Sequence, residues 1–308
     1  MDQIHLMNVF VAVGEEEGFA AAARRLDLSP AAVTRAIASL EEQLGVRLLL
    51  RTTRNVRLTE AGQRYLDDTR AILASIEEAN QAAAGVNAAP KGNLTVTAPV
   101  LFGKAFVMPC ILRYLDAYPE VDVSALFLDR IVNLVDEGID VAVRIGSPEA
   151  WSPSLGHSYL GQEQKVFCAA PAYLAAQGTP ASIEELAQHA AIMYRKADGT
   201  TSPWLVRHGD GRAEPRIEKT ALDARIVAGN AEAQLDLTLA GLGIAQLPTW
   251  LVGRHLAGGS LVQVLPAHAA PGLPMHVVWP KAKAALPRVS QVVAALSELP
   301  GALLMQET

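Results

Sequence analysis

Between Leu28 and Thr59 short hydroxyls and guanidinium groups fall at spacings that suit recognition of a polyanion. Ser29, Thr34, Arg35 and Ser39 lie within LSPAAVTRAIASLEEQL, and Arg47, Arg51, Arg54 and Arg57 lie between Gln43 and Thr59, a stretch with no acid. Arginines reach guanine edges or phosphates, and hydroxyls reach either, so this set could read a duplex. A second candidate is Arg144 in DVAVRIG, an arginine at the end of an apolar run, suited to a ligand carboxylate or to a structural salt bridge. Other chemistries lack their residues. There is no Gly-rich phosphate loop, no GxSxG and no HExxH among seven histidines, and the GLG at Gly241 to Gly243 lacks the remaining glycines of a dinucleotide loop. An enzyme is therefore not expected, although a cleft holding Arg144 and nearby carboxylates could support acid/base work.

The hydroxyls and Arg35 require a helix. Ser29 suits an N-cap, Pro30 the first helical position and Gly45 a C-cap, which predicts a helix from Pro30 to Leu44. Val33, Ile37, Leu40 and Leu44 would form its buried stripe, leaving Thr34, Arg35, Ala38 and Ser39 outward. Upstream, Leu6, Val9, Phe10 and Val13 mark one amphipathic helix, and Phe19, Ala22, Ala23 and Leu26 a second. The few residues of Asp27 to Ser29 force a steep turn, the helix-turn-helix arrangement with the Pro30 helix as recognition helix. A plain three-helix bundle would show the same periodicities. The following RLLLRTTRNVRLT reads as a two-stranded wing turning at Asn55, its arginines placed for phosphates or the minor groove.

From Thr59 a long helix is expected to run to about Gly85 and Pro90. Tyr65, Thr69, Ile72, Ile76, Ala79 and Ala83 step along it by four and three, a heptad stripe. The stripe suits pairing with a second copy, which would space two recognition helices by one helical turn of DNA or a multiple; packing on its own domain is the alternative.

After Pro90 strands alternate with helices, which predicts a mainly parallel sheet. NLTVTAPV, VDVSALFL and DVAVRIG read as strands, with helices over Phe106 to Tyr118 and Ile131 to Glu137. KVFCAAP, AAIMYR and GIAQLP follow as strands, with helices around Ala172 to Ala176, Ile183 to His189 and Glu232 to Ala240. LVQVLP, MHVVWP and a helix from Pro287 to Leu299 complete the pattern. Two α/β lobes are expected, the first built from both ends of the segment, with a ligand cleft between them. The strand ends facing it are Ala98 to Phe102, Arg144 to Ser147, Tyr194 with Arg195, Gly229 with Asn230, and Leu247 to Thr249. Helices starting near Val100 and Asn230 would aim amides into the cleft, a seat for a carboxylate.

The 308 residues carry a net charge of −6, so binding DNA would depend on the local basic patch and on two copies of the chain. No apolar run is long enough to span a bilayer and the N-terminus lacks a basic export signal, which predicts a cytoplasmic protein with no membrane partner. Cys110 and Cys168, far apart and outside any CxxC, are expected to be small buried apolar residues; neither a metal site nor a cofactor is expected.

FAAAARRLDLSPAAVTRAIASLEEQLGVRLLLRTTRNVRLTEAG resembles the DNA-binding segment of LysR-type transcriptional regulators, and APVLFG, YPEV, DRIVNLVDEGIDVAVRIG, APAYLAAQG and GLGIAQLP are similar to the effector domain of that family, above all to a branch resembling regulators of aromatic and organic acid metabolism. The resemblance implies an α/β multidomain chain: a winged helix-turn-helix over 1–58, a linker and dimerisation helix over 59–89, and a two-lobed, periplasmic-binding-protein-like effector domain over 90–308. Lobe I would take about 90–162 and 266–308, and lobe II about 163–265. It implies DNA contacts by Ser29, Pro30, Thr34 and Arg35 on the recognition helix and by Arg51, Thr52 and Arg54 on the wing. The implied effector pocket is Pro99, Val100, Leu101, Arg144, Gly146, Tyr194, Arg195, Asn230 and Pro248. Partners implied are double-stranded promoter DNA, a small organic acid or aromatic effector, a homodimer or homotetramer, and RNA polymerase. Pro30 stands where many members have Gln, and Val100 where carboxylate sensors often have Ser or Thr.

Overall fold

In a computed structural model of the chain, residues 2–51, 56–84, 89–196, 198–208, 216–220 and 224–299 are described. The chain divides into two compact units, Met1–Gly85 and Val86–Thr308.

The first unit holds α1 (Gln3–Glu16), α2 (Phe19–Arg25), α3 (Pro30–Leu44), the hairpin of β1 (Leu49–Arg51) and β2 (Val56–Leu58), and α4 (Glu60–Ala84). The caps of α3 act as their residue types dictate. The Ser29 hydroxyl accepts from the Ala32 amide at 3.2 Å, and Gly45 takes the left-handed conformation, φ 65°, that ends the helix without a Cβ clash. Val33, Ala36, Ile37 and Leu40 are buried against Leu6, Val9, Phe10 and Val13 of α1. Leu44, expected to complete that stripe, is 38% exposed. Glu15 staples the unit: its carboxylate meets Arg25 of α2 at 2.7 Å and Arg70 of α4 at 2.9 Å.

The heptad stripe divides in two. The Tyr65 ring lies 5.4 Å from that of Phe10 and Thr69 is fully buried, so these two belong to the core of the unit and are not free for a second copy, contrary to the expectation. Ile72 is 45% exposed, Ala79 and Ala83 are exposed, and Ile76 is half-buried.

The second unit contains β3 (Gly92–Ala98), α5 (Val100–Phe102), a π-type turn (Gly103–Val107), α6 (Met108–Ala117), β4 (Val121–Phe127), β5 (Val141–Ile145), β6 (Leu155–Ala169), α7 (Pro171–Gln177), β7 (Ala191–Tyr194), β8 (Trp204–His208), β9 (Arg216–Thr220), β10 (Ile226–Ala228), α8 (Ala231–Leu239), β11 (Ile244–Pro248), α9 (Thr249–Ala257), β12 (Val262–Val264), β13 (Ala270–Pro280) and α10 (Pro287–Ser297). One sheet runs β10-β7-β11-β6-β13-β5-β3-β4, with β12 also on β6. It is mixed rather than mainly parallel: β3 pairs in parallel with β4 and β5, and β7 with β10 and β11, while β6 and β13 are antiparallel to each other and to their neighbours. The fifteen residues of β6 serve both lobes, a length hidden by the weak apolar pattern of its first half.

Lobe I packs α6 and α10 on one sheet face around Phe102, Phe106, Val141, Val277 and Val289. Lobe II has two smaller cores, one around Phe167, Met193 and Trp204 and one around Cys168, Ile192, Leu235 and Val252. Residues 131–137, expected to be helical, are not: 131–133 are irregular and a turn runs over 134–138. The Asn133 side chain accepts from the Val135 amide and Arg130 pairs with Glu137, local bonds that compete with a helical ladder. Both cysteines are buried, which pushes the thiols up, that of Cys168 to about 12. Among the described residues no helix is long and apolar enough to cross a membrane.

Gly62 shows how tightly the first unit closes. A Cβ there would lie 2.0 Å from the Leu48 carbonyl oxygen, so α4 can approach the wing base only without a side chain. Gly62→Ala is expected to destabilise this unit by about 1–3 kcal/mol or more, read as an earlier urea transition of an isolated 1–85 fragment or of the head in the full chain.

Candidate functional site

The outward face of α3 carries the residue types that meet DNA. Ser29, Pro30, Ala31, Arg35 and Ala38 are exposed, and Thr34 and Ser39 are half-buried beside them. Ser29 spends one lone pair on its cap and keeps its hydroxyl proton for an outside acceptor. Arg47 and Arg57, at the base of the wing, are exposed too. Among the described residues Arg35, Arg47 and Arg57 meet no carboxylate within ion-pair distance, whereas Arg25, Arg64 and Arg70 are each paired with an acid of their own unit. The arginines of this unit are thus sorted into those that hold it together and those that remain for a polyanion. Arg51 ends β1, paired in register with Val56. Thr52 and Arg54, expected in the wing, lie outside the described residues, as does the Arg51 side chain.

Glu41 was not singled out by the sequence as a site residue, where it only marks the end of the acid-free face. Its Oε1 accepts from the backbone amides of Leu48 and Leu49, at 2.8 and 3.0 Å, and so ties the first wing strand to the recognition helix. Thr59 closes the other side: its hydroxyl donates to the Arg47 carbonyl at 2.9 Å and accepts from the Gly62 amide at 2.8 Å. The recognition helix, the first wing strand and the start of α4 are therefore tied together by side-chain bonds.

In the second unit the predicted pocket residues gather at the C-terminal ends of the parallel strands of each lobe. Pro99, Val100 and Leu101 follow β3 and are half-buried; Arg144 and Gly146 close β5; Tyr194 and Arg195 close β7; Asn230 follows β10 and Pro248 ends β11. Pro248 is buried, and the Asn230 side-chain oxygen caps α8, accepting from the Ala233 amide at 2.7 Å. Arg195 is exposed, and its amide is bonded to the Ala228 carbonyl.

The expected carboxylate seat at Val100 is already taken. The Val100 amide donates to Oδ1 of Asp129 at 2.9 Å, so a carboxylate of the chain itself sits at this helix start. Burial, and after it the negative charge of Asp129, raise the Tyr194 phenol above its ordinary value. Arg144 is half-buried, its guanidinium donates to the Val132 carbonyl, and burial lowers its pKa. Among the described residues it meets no carboxylate within ion-pair distance. A half-desolvated guanidinium with donors to spare is a strong anion partner. Among the described residues no group of three metal-ligating side chains comes together.

A winged helix-turn-helix ahead of a two-lobed binding unit defines the class of ligand-responsive DNA-binding regulators. Residues 4–63 match the family described as bacterial regulatory helix-turn-helix protein, lysR family, and residues 87–300 match the LysR substrate binding domain. The chain belongs to the LysR family of transcriptional regulators. Among named relatives, the regulator DmlR of Escherichia coli K12 is 34% identical over 88% of this chain and 87% of its own length, and the activator TtdR of the same strain is 31% identical over 85% and 83%. Among solved structures, CrgA of Neisseria meningitidis, a LysR-type transcriptional regulator, is 30% identical, covers 97% of this chain and 98% of its own, and superposes with a TM-score of 0.59. The protein is accordingly a helix-turn-helix transcriptional regulator with an effector-binding domain.

The clamp yields a prediction. Glu41→Ala would leave the Leu48 and Leu49 amides without their acceptor, costing about 1–3 kcal/mol of head stability. Specific and random duplexes should lose affinity together in fluorescence anisotropy titrations, because a displaced wing removes phosphate contacts.

Proposed function

We propose that Thr34, Arg35 and Ser39 read base edges in the major groove of promoter DNA, with the Ser29 hydroxyl on a flanking phosphate, the Pro30 ring packed beside it, and Arg51, Thr52 and Arg54 of the wing on the neighbouring backbone or minor groove. What carries this reading is the exposed α3 face with Arg35, and the exposed Arg47 and Arg57 at the wing base, none of which meets a carboxylate within ion-pair distance among the described residues. The functional assembly is a homodimer or homotetramer in which Ile72, Ile76, Ala79 and Ala83 of α4 meet their copies, the exposure of Ile72 being the support. It acts in the cytoplasm and affects transcription through RNA polymerase.

The effector is a small organic acid or aromatic bound in the interlobe cleft. With Asp129 at the Val100 amide, an acid group of that ligand pairs with Arg144 rather than with the helix start.

The test is binding of the purified protein to its own upstream intergenic DNA at low salt, with and without candidate small acids. Arg35→Ala is expected to cost about 1–3 kcal/mol on the specific site and far less on a random duplex of equal length. Equal losses on both would make Arg35 a phosphate contact only, and no retardation of any neighbouring promoter would overturn the regulator assignment at this locus. Arg144→Gln should leave affinity for DNA without effector unchanged and abolish the response to the effector acid, seen as a promoter-binding curve that the acid no longer shifts.

A further inference from the structure

A cavity of about 340 Å³ lies within lobe II and shares no residue with the predicted effector pocket. One wall is a single face of the β8–β9 ribbon. Trp204, Val206 and His208 alternate along β8 and so point to one side, and Thr220 and Glu218 of β9 oppose Trp204 and Val206 in register. The other wall is Ile183 and the 3-10 turn that follows it, Glu184–Gln188, from which Leu186 adds a buried side chain. The ribbon is held in place. The Gln246 side chain of β11 bonds both the amide and the carbonyl of Leu205, at 2.8 and 2.5 Å, and the Trp204 ring packs edge-on against Phe167, 5.1 Å away.

The polar groups of this cavity suit a cation. Glu184 and Glu218 stand exposed at its rim, and among the described residues no lysine or arginine lines it. Bonds from its own backbone amide and from Ser182 hold the Glu184 carboxyl below its ordinary value. The other titratable groups near Glu184 are the imidazoles of His208 and His268, whose rings lie 6.0 Å apart. Glu218 has His208 at 3.6 Å and Arg216 at 4.0 Å, contacts too long for hydrogen bonds. One donor in the wall is unused: Trp204 is only 3% exposed, yet its indole Nε1 has no hydrogen-bond partner among the described residues.

We propose that this cavity binds a primary amine carried on a flat apolar body with a hydroxyl at its far end. The volume lies at the small end of the range for small-molecule pockets. The three donors of an ammonium group would serve Glu184 and Glu218, and the apolar body would lie against Val206, Leu186 and Ile183. The hydroxyl oxygen would give the Trp204 indole the acceptor it lacks. A carboxylate in place of the amine would stand against both acids, and a body without the hydroxyl would leave the indole proton unpaired.

The probe is tyramine, titrated calorimetrically into the full chain at about pH 8, above the ordinary imidazole range and below that of an alkylamine. Two analogues are titrated beside it: 3-(4-hydroxyphenyl)propionate, which inverts the charge, and 2-phenylethylamine, which lacks the hydroxyl. The expected result is a saturable tyramine site that Arg144→Gln retains and that the double variant Glu184→Gln, Glu218→Gln weakens at least about tenfold. The propionate should bind at least about tenfold more weakly than tyramine, and 2-phenylethylamine about threefold more weakly. Both acids are exposed, so the double variant should fold; an unchanged thermal transition checks this. Binding that Arg144→Gln removes and the double variant keeps would assign the amine to the cleft and overturn the lobe II site. Propionate binding as tight as that of tyramine, or no saturable uptake of tyramine up to about 10 mM, would also overturn it and leave the cleft and DNA readings as they stand. Equal affinity for 2-phenylethylamine would overturn the part given to the indole.

Discussion

Two long antiparallel strands, β6 and β13, hold both lobes of the effector unit in one sheet. The first half of β6 pairs with β13 next to β5, and its second half pairs with β11 and β12. Whatever angle the lobes make is therefore set by the path of two strands. The register of their ladder shifts between Pro271 and Pro274 and again between Met275 and His276. Such irregularities bend a strand and increase its local twist, so the ladder has its most adjustable points close to where the chain passes between lobes. His276 sits at one of them, buried, its ring within 5.5 Å of those of Trp151, His157 and Tyr159. Burial and the neighbouring His157 hold its imidazole below the ordinary value, so near neutral pH it packs as an uncharged aromatic ring. Its neighbour across the ladder is Arg144, which places the cleft cation directly on this frame.

The head was legible because its signals are local. Ser29, Pro30 and Gly45 bound a helix by rules that act within four residues, and Val33, Ile37 and Leu40 repeat on one face whatever the rest of the chain does. The wing strands were legible for the same reason. Leu44 and the pair Tyr65 and Thr69 mark where periodicity stops being enough. Spacing says that residues share a face, whereas what covers the face depends on where another helix ends. Ile131, Leu134 and Val135 gave a helical spacing that Asn133 and the Arg130–Glu137 pair override, and Ile131 is left 90% exposed.

What stayed hidden was made by contacts distant in sequence. Glu41 reads as a solvated acid until the Leu48 and Leu49 amides are seen to converge on it. Asp129 belongs to a polar loop until its carboxylate meets Val100, 29 residues earlier. Glu163 binds Trp250 and Leu273, 87 and 110 residues away. These carboxylates share a logic that composition cannot reveal. Each satisfies backbone or indole donors of the chain, so some of the acids behind its net charge of −6 are committed to its own scaffold.

Asp129 has the larger consequence for recognition. A helix start attracts anions through its free amides, and a resident carboxylate uses that attraction before any ligand arrives. An incoming acid must then displace Asp129 or bind elsewhere, against the repulsion of a fixed negative charge close by. Arg144, half-buried at the end of β5 and, among the described residues, within ion-pair distance of no carboxylate, is the cation that our proposal sets against such an acid. With Asp129 on the Val100 amide, recognition of an anion there would rest on side chains and not on the backbone of this helix start.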